Sequence, residues 1–331
     1  MFTLADYLSL GAQHQASDVH LSSGHPPYLR IDGALSVLDL PILTADHLWQ
    51  LAASALSLDH QQRLQQRIDV DFHWASADGR RFRGHAFWQH QGLSLAFRLM
   101  PATIPSLVAL NAPPVLASLI LAEQGLILCT GATGSGKSTT LAAMVATINQ
   151  DQHRHIISLE APIEYHHHSD NSLIQQRALG VDAQDLAAAL TAALRADPDV
   201  LVVGELRDLD SIRLALTAAE TGHLVLATLH STSAAKAIHR ILDVFPDGET
   251  NLIRAQLAAS LLAIVSQTLI KKKTPPGRIA AFEVLVNTPA IAHLIREHKI
   301  AQMTSVLQTQ KAHGMQTLDQ AIAQLKQQQL I

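Results

Sequence analysis

One stretch of eight residues, 131–138, constrains the fold of this sequence more than any other. It reads Gly-Ala-Thr-Gly-Ser-Gly-Lys-Ser and fits the pattern G-x-x-x-x-G-K-S of a nucleotide phosphate loop. Residues 126–129 before it have strand character, and residues 139–149 after it have the composition of a helix. The motif requires this context, because its chemistry comes mostly from backbone N–H groups. The pattern predicts a site for a nucleoside triphosphate, the alternative being a glycine-rich turn that matches by chance.

The residues of this loop have distinct expected roles. Glycines allow successive N–H groups to turn inward around phosphate oxygens, and the helix that follows adds the positive end of its dipole. Lys137 is expected to reach the β- and γ-phosphates, and Ser138 to hold Mg²⁺. The expected nucleotide-binding residues are Gly131, Ala132, Thr133, Gly134, Ser135, Gly136, Lys137, Ser138 and Thr139.

Composition limits the class of protein further. With 331 residues, the chain is expected to form two domains, and 48% hydrophobic residues are enough to fill their cores. The net charge of −4 gives no overall basic field for nucleic acid, and the single cysteine excludes a four-cysteine zinc module. The sequence shows no secretory signal and no run of 18 apolar residues. We therefore expect a cytoplasmic protein that reaches a membrane only peripherally, through partners.

The order of segments predicts two domains joined by a linker. Residues 1–100 mix short helices, including one over residues 44–58 with Thr44 as N-cap, with strand-like segments and turns such as Asp32-Gly33. This mixture predicts a small α+β domain. Residues 101–114 contain four prolines and little periodicity, which predicts a semi-rigid linker. Residues 115–331 form the second predicted domain.

Short aliphatic strands alternate with helices from residue 115 onward. The predicted strands are residues 155–159, 200–204 and 223–229, and the predicted helices are residues 183–196, 208–220 and 233–244. Such strands are typical of a buried parallel sheet, so we expect an α/β fold, a doubly wound parallel sheet with helices on both faces. Beyond Pro246 the chain is predicted to be mostly helical, apart from a strand at residues 279–285.

Acidic residues follow two of the predicted strands. Glu205 ends the run Val-Leu-Val-Val-Gly-Glu, where a carboxylate can hold Mg²⁺ or orient water; the alternative is a solvated residue after a strand. A second acidic cluster, residues 160–164, begins with Glu160 and ends with Glu164. Either carboxylate could polarise the attacking water. The sequence does not rank these two securely. We favour Glu164, with a structural ion pair as its alternative role.

Histidines and arginines supply further candidates. His223 and His230 flank residues 224–229, where a histidine can hydrogen-bond a γ-phosphate; taken alone, each is more typical of a structural residue. Three consecutive histidines, residues 166–168, favour a solvated loop over a metal site. An arginine from another subunit can stabilise the transition state of phosphoryl transfer. The candidates are Arg81, Arg83, Arg98, Arg195, Arg207, Arg213, Arg240 and Arg254.

Nearly the whole chain resembles one family. The matching segments are residues 131–138 (Walker A), 160–164 (EAPIE, the Asp box), 200–205 (VLVVGE, Walker B with glutamate), 215–223 (ALTAAETGH) and 228–236 (TLHSTSAAK) around the His box, 17–21 and 30–33 (the N-terminal domain), and 290–297 (AIAHLIRE, the C-terminal motif). On these residues, the chain resembles the type IV pilus retraction ATPases of the type II/IV secretion ATPase superfamily.

The resemblance implies both an architecture and an activity. It implies a RecA-like ATPase domain with a helical C-terminal part, preceded by a smaller PAS-like α+β domain. It implies a homohexamer that holds ATP and Mg²⁺ between subunits and drives pilus retraction, as in twitching motility, through a membrane-embedded platform protein and the pilus machinery. The implied catalytic residues are Glu205, Glu164, Glu160, His230 and His223, with Ser138 and Glu205 at the metal.

Three positions depart from the family's usual motifs. Ala161 replaces the aspartate of E-D-P-I-E, and Ala292 and His293 replace Arg and Asn in the C-terminal motif. The first departure favours an alternative function, a low-turnover ring that regulates a pilus or secretion system. A nucleic-acid translocase is a third hypothesis, which the aromatic content of 4% disfavours. We also expect Ile291, Leu294 and Ile295 to matter for pilus function but little for assembly or basal hydrolysis.

Overall fold

The computed structural model describes residues 2–31, 33–101, 103–274 and 277–331, and the chain divides into two compact units. The first unit is Met1–Thr103 and the second is Ile104–Ile331. Asp32 of the predicted Asp32-Gly33 turn and Ala102 of the predicted linker lie outside the described residues. Leu107, from the segment after the division, is buried in a core cluster of the second unit.

The first unit is an antiparallel sheet with three helices. Its elements are α1 (Leu4–Gln13), β1 (Asp18–Ser22), β2 (Tyr28–Ile31), β3 (Ala34–Val37), α2 (Ala45–Ala55), α3 (Leu58–Gln65), β4 (Val70–Ala75), β5 (Arg81–Gln89) and β6 (Gly92–Leu99). The strand order is β3-β2-β1-β6-β5-β4, and each neighbouring pair is antiparallel. This confirms the predicted small α+β domain.

Two capping residues show where the helices after β3 begin. Thr44 accepts a hydrogen bond from the N–H of His47, as predicted for an N-cap. The predicted helix is therefore confirmed at its start, but it ends at Ala55 and not at residue 58. Ser57 then caps a separate helix, α3, by accepting from the N–H of His60.

The second unit contains a seven-stranded sheet. Its elements are α4 (Val115–Leu119), β7 (Gly125–Thr130), α5 (Lys137–Asp151), β8 (His155–Glu160), β9 (Leu173–Ala178), α6 (Leu186–Ala193), β10 (Val200–Val203), α7 (Leu209–Glu220), β11 (Leu224–Leu229), α8 (Ala234–Asp243), α9 (Thr250–Ser260), β12 (Leu261–Lys271), β13 (Arg278–Val286), α10 (Pro289–Arg296), α11 (Met303–Thr309) and α12 (Leu318–Gln327). The order is β13-β12-β7-β11-β10-β8-β9. Neighbouring strands are parallel except for β13, which is antiparallel to β12.

Helices cover both faces of this sheet. Successive residues of a strand point to opposite faces, so Leu126 and Leu128 join one core cluster, while Ile127 and Cys129 join another. The first cluster includes residues of α6 to α10, and the second includes residues of α4 and α5. The predicted doubly wound parallel sheet is therefore confirmed.

Two strands were not predicted from the sequence. The expectation that residues beyond Pro246 are mostly helical is wrong for β12, an eleven-residue strand that continues directly from α9. The strand begins with a continuous apolar run, residues 261–265, which cannot be assigned to helix or strand by periodicity alone. The other strand, β9, is a polar edge strand without an apolar alternation.

The helix α10, which carries the predicted C-terminal motif, turns its apolar side chains inward. Ile291 and Ile295 have no exposed surface and Leu294 has 7%, so all three lie in the core of the unit. Their burial means that these side chains help to stabilise the unit, and the expectation that they matter for pilus function stays a prediction. The exposed positions of this helix are Pro289, Ala290, His293 and Arg296. Among the described residues, none of the helices combines the length and apolar character needed to span a bilayer.

Candidate nucleotide-binding site

Four predicted segments meet at one edge of the parallel sheet. The phosphate loop follows β7, Glu160 ends β8, Glu205 follows β10 by one residue, and His230 follows β11 directly. The strands β7, β11, β10 and β8 are consecutive parallel neighbours. Ligands of open α/β sheets bind outside the carboxyl ends of such strands.

The phosphate loop depends on glycine at its first and last bend. Gly131, Gly134 and Gly136 have φ angles of 149°, 76° and 91°, in the region that favours glycine. A Cβ on Gly131 would lie 2.4 Å from Ser135 Oγ, so no other residue fits there without displacement. Gly136 is the N-cap of the fifteen-residue helix α5. The loop thus forms the tight backbone turn at a helix N-terminus that phosphate binding requires.

Polar groups inside this loop fit an anionic ligand. Lys137 Nζ donates to Gly131 O at 2.9 Å and to Ala132 O at 3.0 Å, which keeps the ammonium within the loop. Burial lowers the pKa of Lys137, against the opposing charges of Glu205 and Glu164. Ser135 Oγ is buried and has no hydrogen-bond partner among the described residues. A phosphate oxygen would satisfy this buried hydroxyl.

Glu205 lies at the centre of the edge. Its carboxylate accepts from Arg207 Nε at 2.6 Å and lies 3.0 Å from His230 Nε2, with 21% of its side chain exposed. Gly204 allows this close packing, since a Cβ there would lie 3.2 Å from Glu160 Cα. The predicted metal ligand and one predicted histidine are thus in contact.

Glu160, at the end of β8, is half-buried and hydrogen-bonded. It accepts from Ser158 Oγ at 2.9 Å and from Gln176 Nε2 at 3.3 Å. Burial raises the pKa of Glu160, and the nearby charge of Glu164 acts in the same direction. A buried carboxylate of raised pKa is a candidate proton acceptor, so both acids of this cluster remain catalytic candidates.

A tyrosine connects the acidic segment to the phosphate loop. Tyr165, directly after Glu164, lies 2.8 Å through its hydroxyl from Thr139 Oγ1 in the first turn of α5. Tyr165 is buried, and Gln176 donates to its carbonyl oxygen at 2.8 Å. Neither Tyr165 nor Gln176 was predicted from the sequence, because their roles depend on β9 lying beside β8.

The structure separates His223 from the other predicted site residues. His223 precedes β11, and its N–H donates to Ala218 O at 3.1 Å, at the amino edge of the sheet. The six strand residues between it and His230 place the two residues seven steps apart, or about 23 Å at a rise of ~3.3 Å per residue. The structure therefore does not bring His223 together with the phosphate loop of its own chain, and a catalytic role for this residue stays a prediction.

The arginine candidates are distributed among several ion pairs. Arg207 bonds to Glu205, whereas Arg213 pairs with Glu249 at 2.6 Å. In the first unit, Arg98 and Arg83 pair with aspartates of their own sheet, Asp18 and Asp71. That an arginine completes the site of a neighbouring subunit stays a prediction.

The two predicted magnesium ligands lie at the same edge of the sheet. Within the ranges that the structure describes, no group of three His, Cys, Asp or Glu side chains could hold a metal ion. Mg²⁺ is usually bound by one or two protein groups together with substrate phosphates and water. Ser138, at the start of α5, and Glu205 lie at the same edge and fit that pattern.

A phosphate loop and a strand-end acid on a doubly wound sheet define a P-loop ATPase. The chain belongs to the family described as type II/IV secretion system protein, whose model matches residues 12–330. The resemblance seen in the sequence is thereby confirmed, and the chain is an ATP hydrolase of this family.

Two relatives and one solved structure are similar to this chain over most of their length. A "Twitching motility protein" of Neisseria gonorrhoeae is 47% identical over 92% of this chain and 82% of its own. The "Type IV pilus retractation ATPase PilT" of Pseudomonas aeruginosa is 44% identical over 96% of this chain and 92% of its own. A crystal structure of "the Pilus Retraction Motor PilT and Bound ADP" superposes with a TM-score of 0.92 and 42% identity, covering 100% of this chain and 95% of that one.

Proposed function

We propose that this chain is a Mg²⁺-dependent ATPase motor that drives retraction of a type IV pilus, as in twitching motility. The carrying observation is the meeting of the phosphate loop, Glu160, Glu205 and His230 at one sheet edge. Similarity to retraction motors over nearly the whole chain supports the pilus as the object that is moved.

The residues at this edge of the sheet have different roles in ATP hydrolysis. The backbone N–H groups of the loop and Lys137 bind and orient the phosphates, and Ser138 and Glu205 hold Mg²⁺, which would neutralise charge on the transferred phosphoryl group. Glu164 or Glu160 accepts the proton of the attacking water. His230 lies against Glu205 and orients its carboxylate.

The motor would work as a homohexameric ring in the cytoplasm. ATP would lie between adjacent subunits, with an arginine of the neighbour completing the site. Of the predicted linker, the segment at the division between Thr103 and Ile104 would act as the hinge about which the first unit moves. A nucleotide drives such motion only by binding two arrangements unequally. The ring would pull on a membrane-embedded platform protein of the pilus machinery.

The proposal is tested by steady-state hydrolysis of ATP by the purified chain over a range of Mg²⁺ and protein concentrations. We expect Mg²⁺-dependent turnover whose specific activity rises with protein concentration until assembly saturates. Lys137→Ala should abolish tight ATP binding, since the loop loses its ammonium group. A monomer with full, concentration-independent turnover would overturn the ring.

A low-turnover regulatory ring is the alternative function. Ala161, exposed beside Glu160, leaves the site without the acid that the family's usual motif supplies there. This alternative predicts ATP binding with little hydrolysis, and restored hydrolysis in Ala161→Asp. The same assay therefore separates the two functions.

A further inference from the structure

The strand β12 holds the phosphate loop through the buried side chain of Gln267. Its Nε2 donates to Ser135 O at 2.6 Å, and its Oε1 accepts from Thr140 Oγ1 at 2.8 Å. Because Ser135 O can only accept, the orientation of the amide is fixed. Gln267 is 3% exposed and Thr140 is 1% exposed, so neither hydrogen bond competes with bulk water.

Gln267 also packs against both ends of the loop. A Cβ on Gly131 would lie 2.5 Å from Gln267 O, and a Cβ on Gly136 would lie 2.7 Å from Gln267 Nε2. The first and last glycines of the motif are thus required by contact with this one residue as well as by their φ angles.

The hydrogen bond to Ser135 fixes the direction of a neighbouring donor. In a planar trans peptide, the carbonyl and the following N–H point in opposite directions. Holding Ser135 O toward Gln267 therefore turns the N–H of Gly136 away from β12. Phosphate loops bind their ligand through such backbone N–H groups. Through Thr140, the same amide also fixes the first turn of α5.

We infer that Gln267 is a positioning residue of the nucleotide site, which orients the Gly136 N–H and the start of α5 without contacting the ligand. The inference rests on the proposed nucleotide binding by the loop, but not on hydrolysis or on the pilus. It places part of the site on a strand that carries no recognised motif.

The test compares two variants of the full-length chain that each lose a side-chain amide. Gln267→Met keeps the length of the side chain and removes both hydrogen bonds. Asn287→Leu is the matched control, because Asn287 Nδ2 donates to Ala258 O at 3.0 Å and to Leu261 O at 2.8 Å, near the opposite edge of the sheet. Both variants should melt at a lower temperature than the wild type without nucleotide.

Affinity for ADP separates positioning from plain stability. By calorimetric titration, we expect Gln267→Met to weaken ADP binding by about tenfold or more, roughly the loss of one charge-assisted hydrogen bond. Asn287→Leu should bind within about twofold of the wild type, since its lost bonds lie away from the loop. Gln267→Met binding as tightly as Asn287→Leu would overturn the inference.

A second variant covers the case in which Gln267→Met does not fold. Gln267→Glu keeps the acceptor for Thr140 and the side-chain volume, but it brings a carboxylate against Ser135 O. We expect at least the same loss of ADP affinity, and wild-type affinity would again overturn the inference. A wild type that binds ADP without hydrolysing ATP would contradict the proposed motor alone, whereas one that does not bind ADP would contradict both.

Discussion

Similar residues have different surroundings at the carboxyl edge and at the amino edge of the parallel sheet. His230 follows β11 and contacts Glu205 at 3.0 Å, whereas His223 precedes the same strand and bonds to Ala218 O. The first histidine lies among the phosphate loop and the acids, and the second fastens α7 to the sheet. Seven positions in sequence thus separate a candidate functional group from a structural one. In a parallel sheet, the end of the strand at which a residue lies decides its neighbours.

The largest difference between the edges is expected for carboxylates. Glu205→Gln should lower kcat by about 10²-fold or more, because a charged group at the reacting phosphate is lost. Glu220→Gln is the control, since Glu220 ends α7 at the amino edge and accepts from Gln256 at 3.1 Å. Steady-state kinetics should leave this control within about twofold of the wild type. Equal losses in the two variants would break the contrast between the edges.

The paired histidines give the next largest expected difference. His230→Gln should lower kcat by about tenfold, the effect of losing one hydrogen bond to a charged group. His223→Gln should leave kcat nearly unchanged and lower the melting temperature slightly. If His223→Gln loses as much activity as His230→Gln, then His223 acts on a nucleotide held by another subunit. The position of His223 in its own chain would then not decide its role.

A smaller effect on turnover is expected at Ala161, where the family's usual motif has an aspartate. Ala161 is exposed, so Ala161→Asp should raise turnover by about two- to fivefold, the range of an exposed charge pair. It should also lower the Mg²⁺ concentration for half-maximal rate. Ala161→Asn is the matched control, because it adds similar volume without charge. Equal rates in the two variants would mean that the missing acid does not limit this enzyme.

The smallest expected effect is on stability against pH. The raised pKa of Glu160 means that the folded chain binds its proton more tightly than the unfolded chain. Stability from this group is therefore full below the ordinary carboxyl pKa and declines as pH rises through the raised value. Glu160→Gln lacks this decline, so its melting temperature relative to wild type should increase by a few degrees between pH 4.5 and pH 8. Exposed Glu123, replaced by Gln, should show no such trend.

The sequence predicted those parts of the fold and the site that depend on motifs of consecutive residues. The phosphate loop, the acid after β10 and the alternation of strands and helices all follow from local patterns, and the doubly wound sheet was predicted from them. The sequence was less informative where burial decides. The apolar run of β12 gave no period, and the polar strand β9 gave no apolar signal.

Contacts between distant segments were beyond the reach of local patterns. Tyr165 meets Thr139 only because β8 lies in the same sheet as β7, and Gln267 meets Ser135 only because β12 lies beside β7. The direction of the apolar side chains of α10 was likewise set by the helices that pack on it. The family motif predicted a role in pilus function for Ile291 and Ile295, and only the fold shows that both side chains are buried.

The position of β12 also determines where this enzyme could be shortened. A chain cut after residue 260 would keep the phosphate loop, the acids and both histidines. It would nevertheless lose the strand that pairs with β7, which would expose a wholly buried strand as a sheet edge open to aggregation. It would also lose Glu283 of β13, whose carboxylate accepts from the N–H of Ala234 at 2.8 Å, just beyond His230. The smallest autonomous piece of this ATPase therefore extends at least through β13, well past the phosphate loop, the acids and the His box.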